Sequence, residues 1–66
     1  MKNRLKEIRE ELGLTQGELA EKANLSRYTI NQIERGKDSV KSETIKALVM
    51  ATGIPANKIF FDFDVV

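Results

Sequence analysis

The chain has 66 residues, 41% hydrophobic and 32% charged, with a net charge of +1 and neither cysteine nor histidine. That composition excludes a disulfide framework and the usual zinc ligand sets, and no apolar run approaches the roughly 18 residues of a membrane span. A domain this small depends on tight helix packing or on association with a second copy. The first residues, MKNRLKEIREE, lack the apolar core of a signal peptide, so a cytoplasmic protein is expected. Near-neutral net charge is a weak pointer to nucleic acid. Its distribution says more: Glu7, Glu10 and Glu11 crowd the first segment, while Arg27, Arg35, Lys37, Lys41 and Lys46 come later.

Residues 2–12 carry Leu5, Ile8 and Leu12 at helical spacing among charged side chains, which predicts a first helix. Gly13 suits a left-handed stop to it. Thr15-Gln16-Gly17-Glu18 then matches a capping box, in which Thr15 accepts from the Glu18 N–H and Glu18 reaches back to the Thr15 N–H. Such a cap is worth about 1 kcal/mol. Leu19, Ala20 and Ala23 form the buried side of this second helix. Gly17, inside its first turn, costs roughly a few tenths of a kcal/mol or more relative to Ala.

Asn24 tolerates the positive φ of a helix end, and Leu25 tucks into the core behind it. Ser26 is a good N-cap for a third helix, which runs to Arg35 and is stopped by Gly36. Residues 37–41 form a charged loop. A fourth helix starts around residues 39–42 and carries the stripe Ile45, Leu48, Val49, Thr52, with Gly53 ending it. Glu43, beside Lys41 and Lys46, reads as a surface pair. Pro55 suits the first turn of a last helix over residues 55–60, which buries Ile59 and Phe60.

The period changes at the C-terminal end. Phe61, Phe63 and Val65 alternate with Asp62 and Asp64, which is strand spacing. Two readings stay open for this tail: a short strand or apolar patch shared between two subunits, or a segment folding back over its own core beside residues 1–2. The expected architecture is all-α: five helices in a single domain over residues 1–66, with a short C-terminal strand as one of the open readings of the tail.

The third helix is divided by its own periodicity. With Arg27 at zero and about 100° per residue, Asn31, Arg35, Tyr28 and Gln32 fall within roughly 140° of arc, and Ile33 and Ile30 fall opposite. Glu34 sits at the boundary, placed to pair with a basic residue of a neighbouring helix. Arg can donate two bonds to guanine O6 and N7, and Asn and Gln can each bond adenine N6 and N7, each pair giving roughly 1–3 kcal/mol of discrimination. Tyr28 can meet a thymine methyl with its ring or a phosphate with its hydroxyl. The N-terminal end of such a helix enters the major groove, so Arg27, Tyr28, Asn31 and Gln32 are the expected base contacts. Thr15 and Gln16 open the preceding helix, whose free N–H groups suit a phosphate. Lys37, Ser39 and Lys41 follow as further backbone grips, with Ser26 and Arg35 at the two ends of the reading helix.

The segment TQGELAEKANLSRYTINQIERGK resembles the helix-turn-helix of the phage-repressor/Cro family, also called the xenobiotic-response-element family of bacterial regulators. The matching positions are Thr15-Gln16, Leu19-Ala20, Leu25-Ser26, Ile30, Ile33, Glu34, Gly36 and Lys37. The resemblance extends through Leu5, Arg9, Leu14, Thr44-Ile45, Leu48, Gly53-Ile54 and Ile59-Phe60, nearly the whole chain. It implies five helices around one core, with the second and third as the helix-turn-helix and the third in the major groove. It implies that Gln16 contacts a phosphate and buttresses the reading helix, that Arg27, Tyr28 and Gln32 read bases, and that the backbone after Arg35 approaches phosphate. The chain departs from the family pattern in three places. Val40-Lys41 stands where a Pro-Ser pair commonly opens the fourth helix, which moves the expected cap to Ser39 or Ser42. Asn24 replaces a turn glycine. Thr52 replaces an apolar residue, which weakens the core slightly or marks a contact with another element.

The expected function is a DNA-binding transcription regulator, a repressor acting as a homodimer on double-stranded DNA. One helix makes too few base contacts for useful specificity, and two copies related by a two-fold axis read half-sites about 34 Å apart. The chain has no room for a separate oligomerisation domain, so the tail, with Phe61, Phe63 and Val65, is the expected dimer interface, the aspartates guarding against open-ended pairing. An antitoxin-like or regulatory subunit whose main partner is another protein is the alternative. An enzyme is not expected: no histidine can activate Ser26, Ser39 or Ser42, and there is no cysteine nucleophile. No cofactor is expected.

Overall fold

The computed structural model describes residues 2–37 and 39–61. Five α-helices follow in chain order: α1 (Leu5–Glu11), α2 (Gln16–Ala23), α3 (Arg27–Glu34), α4 (Ser42–Thr52) and α5 (Ala56–Ile59). No strand is present among the described residues beyond one isolated antiparallel bridge, Asn3 to Phe60.

The first three helices stop in the same way. After α1 the Leu14 N–H donates to the Arg9 carbonyl and the Gly13 N–H to that of Glu10, with Gly13 at φ 73°. After α2, Leu25 donates to Ala20 and Asn24 to Glu21, with Asn24 at φ 56°. After α3, Lys37 donates to Gln32 and Gly36 to Ile33. These paired bonds use up helix-end carbonyls and need one left-handed residue each, so Asn24 does the work of a glycine. The turn of the first stop decides what is buried beyond it. Leu12, expected on the apolar stripe, is exposed, because α1 ends at Glu11 and the reversal turns Leu14 inward instead.

The core is Leu5, Ile8, Leu19, Ala20, Ala23, Ile30, Ile33, Ile45, Leu48, Ile59 and Phe60. Every helix contributes, and α2 packs against both α3 and α4. Phe60 is the largest fully buried side chain among the described residues. Burial of that kind is worth about 1.5–3 kcal/mol per large side chain, which is how so small a chain offsets its ordering entropy.

Several element ends differ from expectation. Helix α1 begins at Leu5, not residue 2, because the backbone of residues 2–4 is already engaged. The Arg4 N–H donates to the Ile59 carbonyl at 2.8 Å, and the Phe61 N–H to that of Lys2 at 3.1 Å. The Asn3 side chain accepts from the Leu5 N–H and donates to the Ile33 carbonyl at 2.8 Å, so the two chain ends and the last turn of α3 share one junction. Phe60 and Phe61 thus lie beside Lys2 and Asn3; Phe63, Val65 and the rest of residues 62–66 lie outside the described residues. Helix α5 is shorter than residues 55–60, with Pro55 as its N-cap and Phe60 extended.

Helix α4 opens without a side-chain cap. Neither Ser39 nor Ser42 takes that place; Lys41 does, and it has no acceptor to offer. Val40 and Ile45 occupy the two positions of a hydrophobic staple and both join the core, so apolar contact sets the entry of α4. At the far end, the Thr52 hydroxyl donates to the Leu48 carbonyl and accepts from the Ile54 N–H. Thr52 therefore closes the helix end locally. Glu43 forms no ion pair with Lys41 or Lys46 among the described residues.

Candidate nucleic-acid interface

Two caps aim the helices that carry the site. Thr15 Oγ1 accepts from the Glu18 N–H at 3.1 Å, and Glu18 Oε1 accepts from the Thr15 N–H at 2.8 Å, completing the capping box of α2. Ser26 Oγ accepts from the Thr29 N–H at 3.0 Å and lies 2.9 Å from the Thr29 hydroxyl. Two of the three hydroxyl groups expected at a DNA backbone, those of Thr15 and Ser26, are thus already working as helix caps.

A part-buried ionic network holds α3 in place. Arg9 Nε donates to Glu34 Oε2 at 2.6 Å, Arg9 Nη2 to Glu34 Oε1 at 3.3 Å, and Arg9 Nη1 to the Leu14 carbonyl at 2.8 Å. Gln16 Nε2 donates to Glu34 Oε1 at 3.1 Å. The Glu34 side chain is only 4% exposed and that of Arg9 12%. The hydrogen bond to Glu34 raises the guanidinium above its ordinary pKa, against the pull of burial, with the charges of Glu34 and Glu10 adding to it. The fork geometry of arginine meets both oxygens of one carboxylate. One residue of α1, one at the start of α2 and one at the end of α3 are thereby locked together, and Gln16 is held on the reading helix. The position of Glu34 at the edge of the apolar arc was visible in the sequence. Its partner was not named there: Arg9 adjoins the apolar stripe of α1 and is among the positions of the family resemblance, but neither signal ties it to Glu34.

On α3 itself, Ile30 and Ile33 are buried, Tyr28 is 71% exposed, Arg27 and Arg35 are exposed, and Asn31 and Gln32 are half-buried. Two open clefts flank this face. One, of about 290 Å³, gathers Tyr28, Gln32, Lys37, Ser39 and Lys41 from the expected set and adds Thr29, Ile33, Val40 and Thr44. The other gathers Thr15, Gln16 and Arg27, with Arg9, Gly13, Leu14 and Gly17. The polar face is therefore split: Arg27 opens toward the start of α2, and Tyr28 and Gln32 toward the start of α4. Ser26, Asn31 and Arg35 line neither cleft, and Phe61 is half-exposed away from both. Thr29 and Val40 line the cleft without having been among the expected site residues.

No group of acidic, histidine or cysteine side chains among the described residues is arranged to hold a metal ion. No helix among them is long and apolar enough to cross a membrane.

The helix-turn-helix family model matches residues 5–59. The chain is 46% identical over 56 residues to the immunity repressor protein of Bacillus phage phi105, an alignment covering 85% of this chain and 39% of that protein. It thus spans about two fifths of the length of that relative. Among solved structures, the restriction-modification controller protein C.AhdI from Aeromonas hydrophila superposes with a TM-score of 0.80 at 35% identity, covering 86% of each chain. On the match over 5–59, with α2 and α3 as the two helices of the motif, the chain belongs to the helix-turn-helix family.

Proposed function

We propose that this chain is a sequence-specific DNA-binding transcription regulator, a repressor, that acts as a homodimer on a pseudo-palindromic operator with α3 in the major groove. One observation carries the reading: α3 buries Ile30 and Ile33 and turns Arg27, Tyr28, Asn31 and Gln32 outward, between two clefts edged by basic and hydrogen-bonding groups. Arginine, asparagine and glutamine are the side chains whose donors and acceptors match base edges in that groove. Thr15, Gln16, Ser26, Arg35, Lys37, Ser39 and Lys41 border this face and meet the phosphates on either side of the groove. The names of the two similar proteins, an immunity repressor and a controller protein, support the same role.

Two copies are needed because α3 is short. Eight residues rise about 12 Å along the helix axis, enough to touch only a few base pairs. A two-fold pair reads two half-sites about 34 Å apart. The exposed Phe61, with Phe63 and Val65 beyond it, is the proposed pairing surface. The protein works in the cytoplasm, with no catalytic activity and no cofactor.

Selection of binding sites from random duplex DNA tests the proposal. The expected product is one enriched motif made of two symmetric halves, about 10 base pairs centre to centre. An unenriched pool, alongside stable capture of a second protein, would replace the proposal with a protein-interaction role.

A further inference from the structure

We propose that the cleft between α3 and the loop before α4 seats the C5-methyl group of a thymine, with Thr29, Ile33 and Val40 as its floor. The inference rests on the DNA-reading assignment above and names a specificity contact within it. The cleft opens beside Tyr28 and Gln32, two of the proposed readers, and has room for the edge of a pyrimidine as well as its methyl. Its outer wall carries Lys37 and Lys41, which suit the phosphates of the strand that passes there.

The floor is apolar for a structural reason. Ile33 is buried, and Val40 packs against the core as α4 begins. Thr29 has two branches at Cβ, and its hydroxyl lies 2.9 Å from Ser26 Oγ. A threonine so tied is fixed at χ1, and its methyl is the branch left to meet a ligand. Among the four bases only thymine carries a methyl on its major-groove edge, and apolar contact is how that group is read. The pairing with Gln32 is chemically consistent: its amide can bond adenine N6 and N7 while the methyl of the opposite thymine rests on the floor, so one base pair is read from both strands.

Replacing thymine by deoxyuridine tests this, because the exchange removes the methyl and leaves every hydrogen-bonding group. On the operator recovered by selection, one thymine in each half-site is expected to lose about fourfold in affinity on replacement, the worth of one buried methyl. Thr29→Ser keeps the hydroxyl beside Ser26 and removes one methyl of the floor, so its preference for thymine over deoxyuridine operators should fall clearly below that of the wild type. Thr29→Val keeps the methyl and should still discriminate. If no replacement weakens the wild-type protein, or if Thr29→Ser discriminates as the wild type does, the methyl seat is wrong and the DNA-reading assignment stands. If selection recovers no sequence at all, the DNA-reading assignment fails and takes the seat with it.

Discussion

Replacing Arg9 should remove a large share of the stability of the fold. Its guanidinium makes two of the three hydrogen bonds to the Glu34 carboxylate, and that side chain is 4% exposed. In Arg9→Ala the carboxylate keeps only the Gln16 amide, and the Leu14 carbonyl loses its donor. Removing one partner of a buried ion pair costs about 3–5 kcal/mol, mostly because the other charge stays buried unpaired. A chain of this length has a total stability of roughly 3–10 kcal/mol at typical per-residue values. The variant should therefore show a urea midpoint, followed by far-ultraviolet circular dichroism, lowered by a third or more. Glu34→Gln keeps a neutral group in the same space and should cost less. In the double variant Arg9→Ala with Glu34→Gln, the combined loss should fall short of the summed single losses by about 1–3 kcal/mol, the coupling expected for neighbours in one network. A loss under about 1 kcal/mol for Arg9→Ala, or strict additivity in the cycle, would refute the claim that this pair fastens α3. The pair should add no pH dependence near neutrality. Glu34 raises the pKa of Arg9, so its contribution is complete below the ordinary arginine value and is lost only at pH values beyond that.

Four further outcomes are expected. Gly17→Ala should raise stability by about 0.5–1 kcal/mol in thermal melts, since its φ is not left-handed and an added Cβ meets only Thr15 Oγ1 at 3.9 Å; a lower melting temperature would show that close backbone approach matters there. Arg27→Ala and Gln32→Ala should each forfeit roughly 1–3 kcal/mol of discrimination at one base position with the fold intact, and unchanged site preference in both would remove this face as the reader. Lys37→Ala should weaken binding to all sequences alike and flatten the salt slope by about one unit; an unchanged slope would place the phosphate grip elsewhere. Deleting residues 61–66 should shift sedimentation toward monomer, and a persisting dimer would assign the interface to another surface.

What was legible in the sequence is what local physics encodes. The capping box of Thr15 and Glu18, the Ser26 cap, the left-handed Asn24 and the apolar spacing of Ile30 and Ile33 each involve residues within one helical turn of one another. Spacing alone therefore determined five helices and an outward polar face on α3, and the resemblance of those same residues pointed to the helix-turn-helix family that the chain was then found to match. The tertiary structure decided what joins segments far apart in the chain. Arg9 finds Glu34 across 25 positions, Asn3 reaches Ile33 across 30, and Lys2 and Asn3 pair with Phe60 and Phe61. Packing also split the polar face between two clefts, drew Val40 and Thr29 into one of them, and left Leu12 outside. None of these follows from periodicity, because each depends on where one helix end comes to rest against another, and that is set by the shape of the shared core.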